Sequence, residues 1–222
     1  MPPSSAKPVE FWSGKHRIYR GTEWIREPTY FAQDVIERFP ANALVLDAGC
    51  GQGQDSVFFA TAGHTVTALD FSKYALDQFP PVPAAAAPVT KIAASLTDTP
   101  DLFDDASFDV VYAHLSLHYF DEDITRSILR DVHRVLRPGG LLCVMVNSVD
   151  DPERGEGIRL GPDYYELAPG DRKRYFSRAT LYEMSCDLFV PYLLEQHGRT
   201  RKDPHRAFVR LVAERRGEAA HD

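Results

Sequence analysis

A short apolar run followed by three glycines on alternate positions limits the possible folds of this chain more than any other stretch. The run, Ala43–Leu46, has the length and composition of a buried strand, and it ends on an acid, Asp47. The glycines that follow are Gly49, Gly51 and Gly53. A helix is predicted directly after them. Because glycine lets the backbone approach a ligand closely, a strand, a glycine turn and a helix in this order indicate a nucleotide-binding corner.

Length and composition restrict the class of protein. With 222 residues, 44% of them hydrophobic, the chain can form one domain with a sizeable core. A net charge of −7 argues against a broad nucleic-acid surface. The longest clearly apolar run, Leu141–Val146, is too short to cross a bilayer, and we expect neither a signal peptide nor a membrane contact. The three cysteines are odd in number and widely spaced, which favours a reducing cytoplasm over a disulfide scaffold or a metal site.

Strand-like and helix-like patterns alternate along most of the chain. The clearest helix, Asp121–Leu136, has one apolar stripe, acids in its first turn and a basic residue in its last. Such alternation predicts right-handed crossovers and a parallel sheet with helices on both faces. The last two strand-like runs, Tyr192–His197 and Ala207–Ala213, are predicted to form an antiparallel hairpin. The predicted fold class is therefore α/β: a doubly wound, seven-stranded, mostly parallel sheet with an antiparallel last strand.

The predicted domain organisation is simple. We expect one domain over residues 9–216, with a disordered tail at 1–8 and a frayed end at 217–222. Within the domain, residues 9–40 are predicted to form an N-terminal lid and helix, and residues 147–177 an insertion on the substrate side.

Two classes of cofactor site compete for the glycine corner. A dinucleotide site requires G-x-G-x-x-G/A, and here Gln54 replaces the third element. The carboxylate of Asp47 would repel a pyrophosphate, whereas it suits a cofactor with an amino group, such as S-adenosylmethionine. Asp70, which ends the second predicted strand, can accept hydrogen bonds from ribose hydroxyls in either class. The closing hairpin favours the second class, because an antiparallel last strand is unusual in a dinucleotide domain.

Four segments match, in order, the motifs of one protein family. They are V-L-D-A-G-C-G-Q-G-Q-D-S (45–56), G-H-T-V-T-A-L-D-F-S (63–72), F-D-V-V-Y-A-H-L-S-L-H-Y-F (108–120) and V-L-R-P-G-G-L-L (135–142). With these motifs the chain resembles the class I S-adenosylmethionine-dependent methyltransferases, from about Phe11 to Arg215. The G-Q-G-Q-D-S ending and the N-S-V-D-D-P segment (147–152) resemble the small-molecule branch with thiopurine- and tellurite-type enzymes.

The resemblance implies a Rossmann-like fold and methyl transfer from S-adenosylmethionine to a small-molecule acceptor, with S-adenosylhomocysteine as product. Asp47 would hold the loop or the methionine amino group, while Asp70 would bind the ribose and Phe71 would pack on the adenine. The adenine edge would meet Ser95 in place of the family's usual acid, with Asp98 as a nearby substitute. The predicted cofactor-binding set is Asp47, Gly49, Cys50, Gly51, Gln54, Asp55, Asp70, Phe71, Ser95, Leu96, Ala113 and His114.

Catalytic candidates lie after the fourth strand and near the N-terminus. His118 is the first choice as general base, followed by His114, because both follow the strand at the edge where ligands bind in such sheets. The competing interpretation is that His118 only packs against the next helix. Tyr19 and Trp12 are predicted to belong to a lid over the sulfonium, since aromatic faces attract cations. They could equally anchor the first helix.

The acceptor is predicted to contact the stretch between strand five and the late helix. The predicted acceptor wall is Asn147, Arg159, Tyr164, Tyr165, Arg174, Tyr175 and Phe176. The basic run Arg172–Arg174 could hold an acidic acceptor, or it could be a solvated loop. Two other functions stay open: a cofactor-binding but catalytically idle regulatory or partner subunit, and an NAD-dependent oxidoreductase. We expect a cytoplasmic monomer or homodimer that binds neither metal nor nucleic acid.

Overall fold

The structure is a computed structural model that describes residues 9–196, 200–201 and 205–217. The predicted tail at 1–8, nearly all of the predicted frayed end and most of the connection between the last two strands lie outside these residues. The strands are β1 (Leu44–Ala48), β2 (Thr65–Asp70), β3 (Val89–Ala93), β4 (Phe108–His114), β5 (Leu136–Asn147), β6 (Ile158–Gly161), β7 (Tyr164–Ala168), β8 (Asp171–Arg174), β9 (Phe189–Glu195) and β10 (Phe208–Arg215).

Seven of these strands form one sheet in the order β3-β2-β1-β4-β5-β10-β9. The first five are parallel, and β10 is antiparallel to both β5 and β9. The predicted fold class, including the closing hairpin, is confirmed. The chain order of the strands reverses between β1 and β4, so the loops after these two strands leave a crevice at the carboxyl edge of the sheet.

The helices cover both faces of this sheet. They are α1 (Val9–Tyr19), α2 (Tyr30–Val35), α3 (Gln54–Thr61), α4 (Lys73–Asp77), α5 (Thr99–Leu102), α6 (Glu122–Val135) and α7 (Arg178–Ser185), with short 3-10 helices at Glu23–Arg26, Ile36–Arg38, Leu96–Asp98 and Leu117–Tyr119. Side chains of a strand alternate between faces, and accordingly Leu46 and Val45 of β1 belong to two different buried hydrophobic clusters. The sheet therefore has a core on each side.

The predicted insertion at 147–177 contains structure that the sequence pattern did not indicate. Strands β6, β7 and β8 form a separate three-stranded antiparallel sheet. Their side chains are mostly polar or half-exposed, so they lack the apolar alternation that identifies a strand. The half-buried carboxylate of Glu153 holds this sheet to the chain before β10, because it accepts hydrogen bonds from Lys173 and Arg206, each at 2.5 Å.

Candidate active site

A cavity of about 260 Å³ opens at the carboxyl edge of the sheet, where the strand order reverses. Its walls come from the ends of β1, β2, β3 and β4 and from the N-terminal segment before β1. All of the predicted cofactor-binding residues except Ala113 line it: Asp47, Gly49, Cys50, Gly51, Gln54, Asp55, Asp70, Phe71, Ser95, Leu96 and His114. Ala113 is buried within β4, one residue before the wall.

The glycine turn has the shape that its sequence predicts, and protein atoms enforce it. Gly49 has φ +87°, and a Cβ placed there would lie 2.4 Å from the Cβ of Ser116. The hydroxyl of Ser116 donates a hydrogen bond of 2.6 Å to the carbonyl of Ala48, which joins the ends of β4 and β1. At Gly53, with φ +79°, a Cβ would enter the ring of Phe79. Both glycines are therefore required by the turn itself.

Asp70 is fixed at the end of β2 by two backbone donors. Its Oδ1 accepts a bond of 2.8 Å from the N–H of Ser72, and its Oδ2 accepts one of 2.9 Å from the N–H of Gly51. Burial raises the pKa of Asp70, and the two backbone bonds oppose that shift. Each oxygen of a carboxylate can accept a second hydrogen bond, so this acid remains able to bind a pair of hydroxyls in the cavity.

Asp47, at the end of β1, is 2% exposed and accepts a hydrogen bond of 2.5 Å from the hydroxyl of Ser56. Burial first, and then the negative charge of Asp55, raises the pKa of Asp47 to about 8. The carboxyl is thus held mostly protonated at neutral pH while no cation lies beside it. A positively charged ligand group at this place would favour the ionised form.

Asp55, in the first turn of α3, connects the N-terminal segment to the sheet. Its Oδ1 accepts a bond of 2.7 Å from the N–H of Thr29, and its Oδ2 accepts bonds of 2.8 Å from the hydroxyls of Thr29 and Tyr112. Thr29 also caps α2, because its hydroxyl accepts a bond from the N–H of Ala32. This acid lies on the cavity wall, yet its hydrogen bonds are to protein groups.

After β3, Ser95 stands in place of the family's usual acid, and Asp98 has a different role from the substitute that the sequence suggested. Ser95 lines the cavity and begins a 3-10 helix through a capping box with Asp98. The N–H of Ser95 donates to Asp98 at 2.9 Å, and the hydroxyl of Thr97 donates to Ser95 at 2.8 Å. Asp98 therefore supports the turn that presents Ser95.

The two candidate histidines occupy different environments. His114 lines the cavity, its ring stacks 6.2 Å from Tyr112 and 6.3 Å from Phe31, and no described residue offers its buried Nε2 a hydrogen bond. Burial lowers the pKa of His114, which favours the neutral imidazole. His118 is 2% exposed, and its ring packs 4.1 Å from that of Tyr119 rather than on the described cavity wall. The geometry thus favours His114 over His118 as the residue that meets a ligand.

Aromatic side chains from α1 cover the cavity on the side opposite the sheet. Trp12 lies 6.4 Å from Phe71 and 4.7 Å from Tyr119, ring centre to ring centre. Tyr19 also lines the cavity, and burial raises the pKa of its phenol. The side-chain amide of Gln52, in the glycine turn, donates a hydrogen bond of 2.8 Å to the backbone carbonyl of His16 in α1. These contacts agree with both interpretations of the segment, a lid over the ligand and an anchor for the helix.

The predicted acceptor wall contributes no residue to this cavity among those that the structure describes. The basic run in β8 has partners within the protein: Arg172 pairs with Glu166, Lys173 with Glu153 and Arg174 with Glu122.

The wall includes other residues that sequence reasoning missed: Trp24, Ile25, Thr29, Tyr112, Leu115, Ser116, Tyr119, Phe120, Thr200 and Arg201. Thr29 could have been found from its position one residue before a helix, where a capping residue is expected. Thr200 and Arg201 carried no such signal, because only the fold brings these two residues to the cavity.

Two further features concern metals and membranes. In the described ranges, no group of three or more histidines, cysteines and acids is placed to hold a metal ion. Every helix described there is too short or too polar to span a bilayer.

Known proteins resemble this chain in both sequence and structure. Residues 45–140 match the family profile of a methyltransferase domain. An uncharacterized methyltransferase of Synechocystis sp. is 38% identical over 102 residues, which are 46% of this chain and 45% of that protein. A malonyl-[acyl-carrier protein] O-methyltransferase of Pseudescherichia vulneris is 40% identical over 107 residues, 48% of this chain and 39% of the relative. The chain thus matches less than half the length of these curated relatives.

The fold has a solved counterpart in the 1,6-didemethyltoxoflavin-N1-methyltransferase of Burkholderia thailandensis, whose crystal structure contains 1,6-didemethyltoxoflavin and S-adenosylhomocysteine. The two structures superpose with a TM-score of 0.68 at 21% identity, over 94% of this chain and 85% of that one. At this identity the likeness concerns the fold.

Proposed function

We propose that this chain, whose residues 45–140 form a class I S-adenosylmethionine-dependent methyltransferase domain, transfers a methyl group from S-adenosylmethionine to a small-molecule acceptor. One observation supports the proposal: every predicted cofactor-binding residue except Ala113 lines one cavity at the point where the strand order reverses. The rest of the fold supplies the scaffold for that wall.

The residues of the cavity fit this cofactor chemically. Asp70 has acceptor capacity for the two ribose hydroxyls, and Phe71 offers an apolar face beside it for the adenine. Asp47 and Asp55 both line the cavity and would be the acids that attract the amino group of the methionine part. Trp12 and Tyr19 present aromatic faces, which attract a sulfonium cation.

When bound, S-adenosylmethionine supplies a methyl group on a good leaving group, and S-adenosylhomocysteine is the product. The chain's own residues then have to align the acceptor and exclude water, and alignment alone can supply roughly 7–11 kcal/mol of the barrier. The aromatic side chains of α1 and the hydrogen-bonded pair of Asp55 and Tyr112 suit this task, because both line the cavity.

His114 is the better candidate for a general base. Its Nε2 is buried at the cavity wall, and its lowered pKa keeps the imidazole neutral and able to accept a proton from a hydroxyl or an ammonium acceptor. His118 is replaced as first choice in this proposal, since it does not itself line the cavity and packs against the wall residue Tyr119. A thiolate acceptor would need neither histidine.

The class of acceptor is proposed on coarser grounds. The net charge of −7 and the small, aromatic-lined cavity favour a small molecule over a nucleic acid. The three cysteines, free in the structure, agree with the predicted cytoplasmic location, and a monomer or homodimer remains our expectation.

Calorimetric titration with S-adenosylhomocysteine and with NAD tests the cofactor. We expect the first to bind and the second not to bind, and tight binding of NAD alone would refute the proposal. A radiolabelled methyl-transfer screen over phenols, carboxylates, amines and thiols then tests the activity. If the cofactor product binds but no acceptor class is labelled, the idle-subunit alternative is supported instead.

A further inference from the structure

Arg201 is a cation of the β9–β10 connection that the fold brings to the cavity wall. Its Nε donates a hydrogen bond of 3.0 Å to the carbonyl of Pro28, and its guanidinium lies 4.3 Å from the ring centre of Tyr30. A guanidinium has five N–H donors. The described protein groups use one of them, so the terminal nitrogens keep their donors for a ligand.

No carboxylate in the described part of the chain lies within ion-pair distance of Arg201, in contrast to its neighbours in sequence. Arg206 pairs with Asp151 and Glu153, and Arg210 pairs with Asp34 and Glu195. Arg201 is half-buried at the wall of a largely apolar cavity, and no described carboxylate neutralises its charge. The arrangement is therefore suited to an anion that the ligand brings.

The position of Arg201 indicates which part of the cavity such an anion would occupy. The segment that it contacts, Pro28–Tyr30, is also bonded to Asp55 through Thr29. Arg201 therefore lies at the end of the cavity near Asp55, whereas Phe71 and Ser95, from β2 and β3, form the adenine end.

We propose that Arg201 binds a carboxylate of a molecule held in this cavity. The planar guanidinium can bind a carboxylate with two parallel hydrogen bonds, which makes it more selective for that group than a point charge. The inference rests on the proposed function, and two sources of the carboxylate fit it: the methionine end of the cofactor, beside the acids that suit its amino group, or an acidic acceptor.

The first arm of the test measures binding of the cofactor product by calorimetry. S-Adenosylhomocysteine is compared with S-adenosyl-3-thiopropylamine, its decarboxylated analogue, in the wild-type protein, Arg201→Gln and Arg201→Lys. If the carboxylate belongs to the cofactor, Arg201→Gln weakens the binding of S-adenosylhomocysteine by about ten- to a hundredfold and leaves the binding of the analogue nearly unchanged. Arg201→Lys keeps the positive charge but not the planar guanidinium, so it should lose less affinity than Arg201→Gln.

The second arm measures protection against thermal unfolding with the cofactor product at saturation. Benzoate and malonate are compared with the neutral benzamide and malonamide. If the carboxylate belongs to the acceptor, the acids raise the Tm of the wild-type complex more than the amides do, and Arg201→Gln abolishes the difference. Arg126→Gln, which removes a surface arginine paired with Glu122 on α6, is the matched control and should behave as wild type in both arms.

The proposal is overturned if Arg201→Gln, folded as judged by its Tm, equals the wild-type protein in both arms. That failure is distinct from failure of the proposed function. If the wild-type protein does not bind S-adenosylhomocysteine at all, the methyltransferase assignment fails, and the carboxylate comparison is then made on the protein alone.

Discussion

Replacement of Asp47 by asparagine should make the protein's stability depend less on pH. Asp47 is 2% exposed, and burial together with the charge of Asp55 raises its pKa from 3.8 to about 8. An unfolded chain releases this proton near its ordinary pKa, whereas the folded chain keeps it. Because the folded state binds more protons between pH 4 and pH 8, the free energy of unfolding falls as the pH rises through that range.

The size of the effect follows from the shift. Each pH unit in which only the folded state holds the proton lowers the free energy of unfolding by about 1.36 kcal/mol. Between pH 5 and pH 7 the loss from this one group is therefore about 2–3 kcal/mol. An asparagine cannot ionise, so Asp47→Asn should gain about that much relative to the wild-type protein over the same interval.

Urea unfolding at pH 5, 6 and 7 in the absence of ligand measures this difference directly. The comparison of wild type and variant at each pH cancels the contributions of groups that do not interact with Asp47. Asp104→Asn, at an exposed acid before β4, serves as the control. If the difference in free energy of unfolding between Asp47→Asn and wild type stays constant from pH 5 to pH 7, the carboxyl is ionised in the folded protein. That result would refute the prediction.

Three further predictions concern neighbouring residues. Tyr112→Phe removes the hydroxyl that donates to Asp55 and should lower the free energy of unfolding by about 1–3 kcal/mol in urea titrations; an unchanged midpoint would contradict it. Gly49→Ala should abolish or strongly weaken S-adenosylhomocysteine binding in calorimetry, because the new Cβ would overlap a serine after β4, and normal affinity would refute the steric argument. His114→Gln should reduce turnover of a hydroxyl acceptor about a hundredfold or more with little change in cofactor affinity, whereas His118→Gln should reduce it less. The reverse order of the two variants would return His118 to first place.

The sequence predicted the part of the fold that local patterns determine. The glycine turn requires positive φ at Gly49 and Gly53, and few residues other than glycine satisfy both that backbone and the close contacts around it. Short apolar runs that stop at acids predicted where the strands end, and Asp47 and Asp70 do lie at the ends of β1 and β2. A cavity at the carboxyl edge then follows from strand order alone.

The remaining features depend on contacts between distant parts of the chain. Strands β6–β8 are joined to the chain before β10 by Glu153, which pairs with Lys173 of β8 and with Arg206, 53 residues away. No local periodicity in the sequence predicts such long-range pairs. Arg201 reaches the wall through a partner 173 residues earlier, the carbonyl of Pro28. The predicted acceptor wall contributes no described residue to the cavity, because its side chains have partners elsewhere in the protein: Arg174 pairs with Glu122, and Arg159 donates to the carbonyl of Gly161.

The distribution of charge around the glycine turn bears on the choice between a dinucleotide and an amino-bearing cofactor. A pyrophosphate would have to lie at the N-terminus of α3. The first turn of that helix carries the acid Asp55 in addition to its backbone N–H donors. Two like unit charges about 4 Å apart repel by about 4 kcal/mol at an effective dielectric constant of 20. A pyrophosphate would meet that cost at Asp55, and it would keep Asp47 protonated. An ammonium group reverses the sign of both terms, since it is attracted to Asp55 and stabilises the ionised form of Asp47. The same acids that make a dinucleotide unfavourable therefore make the amino-acid end of S-adenosylmethionine favourable, and they predict that its binding releases a proton at neutral pH.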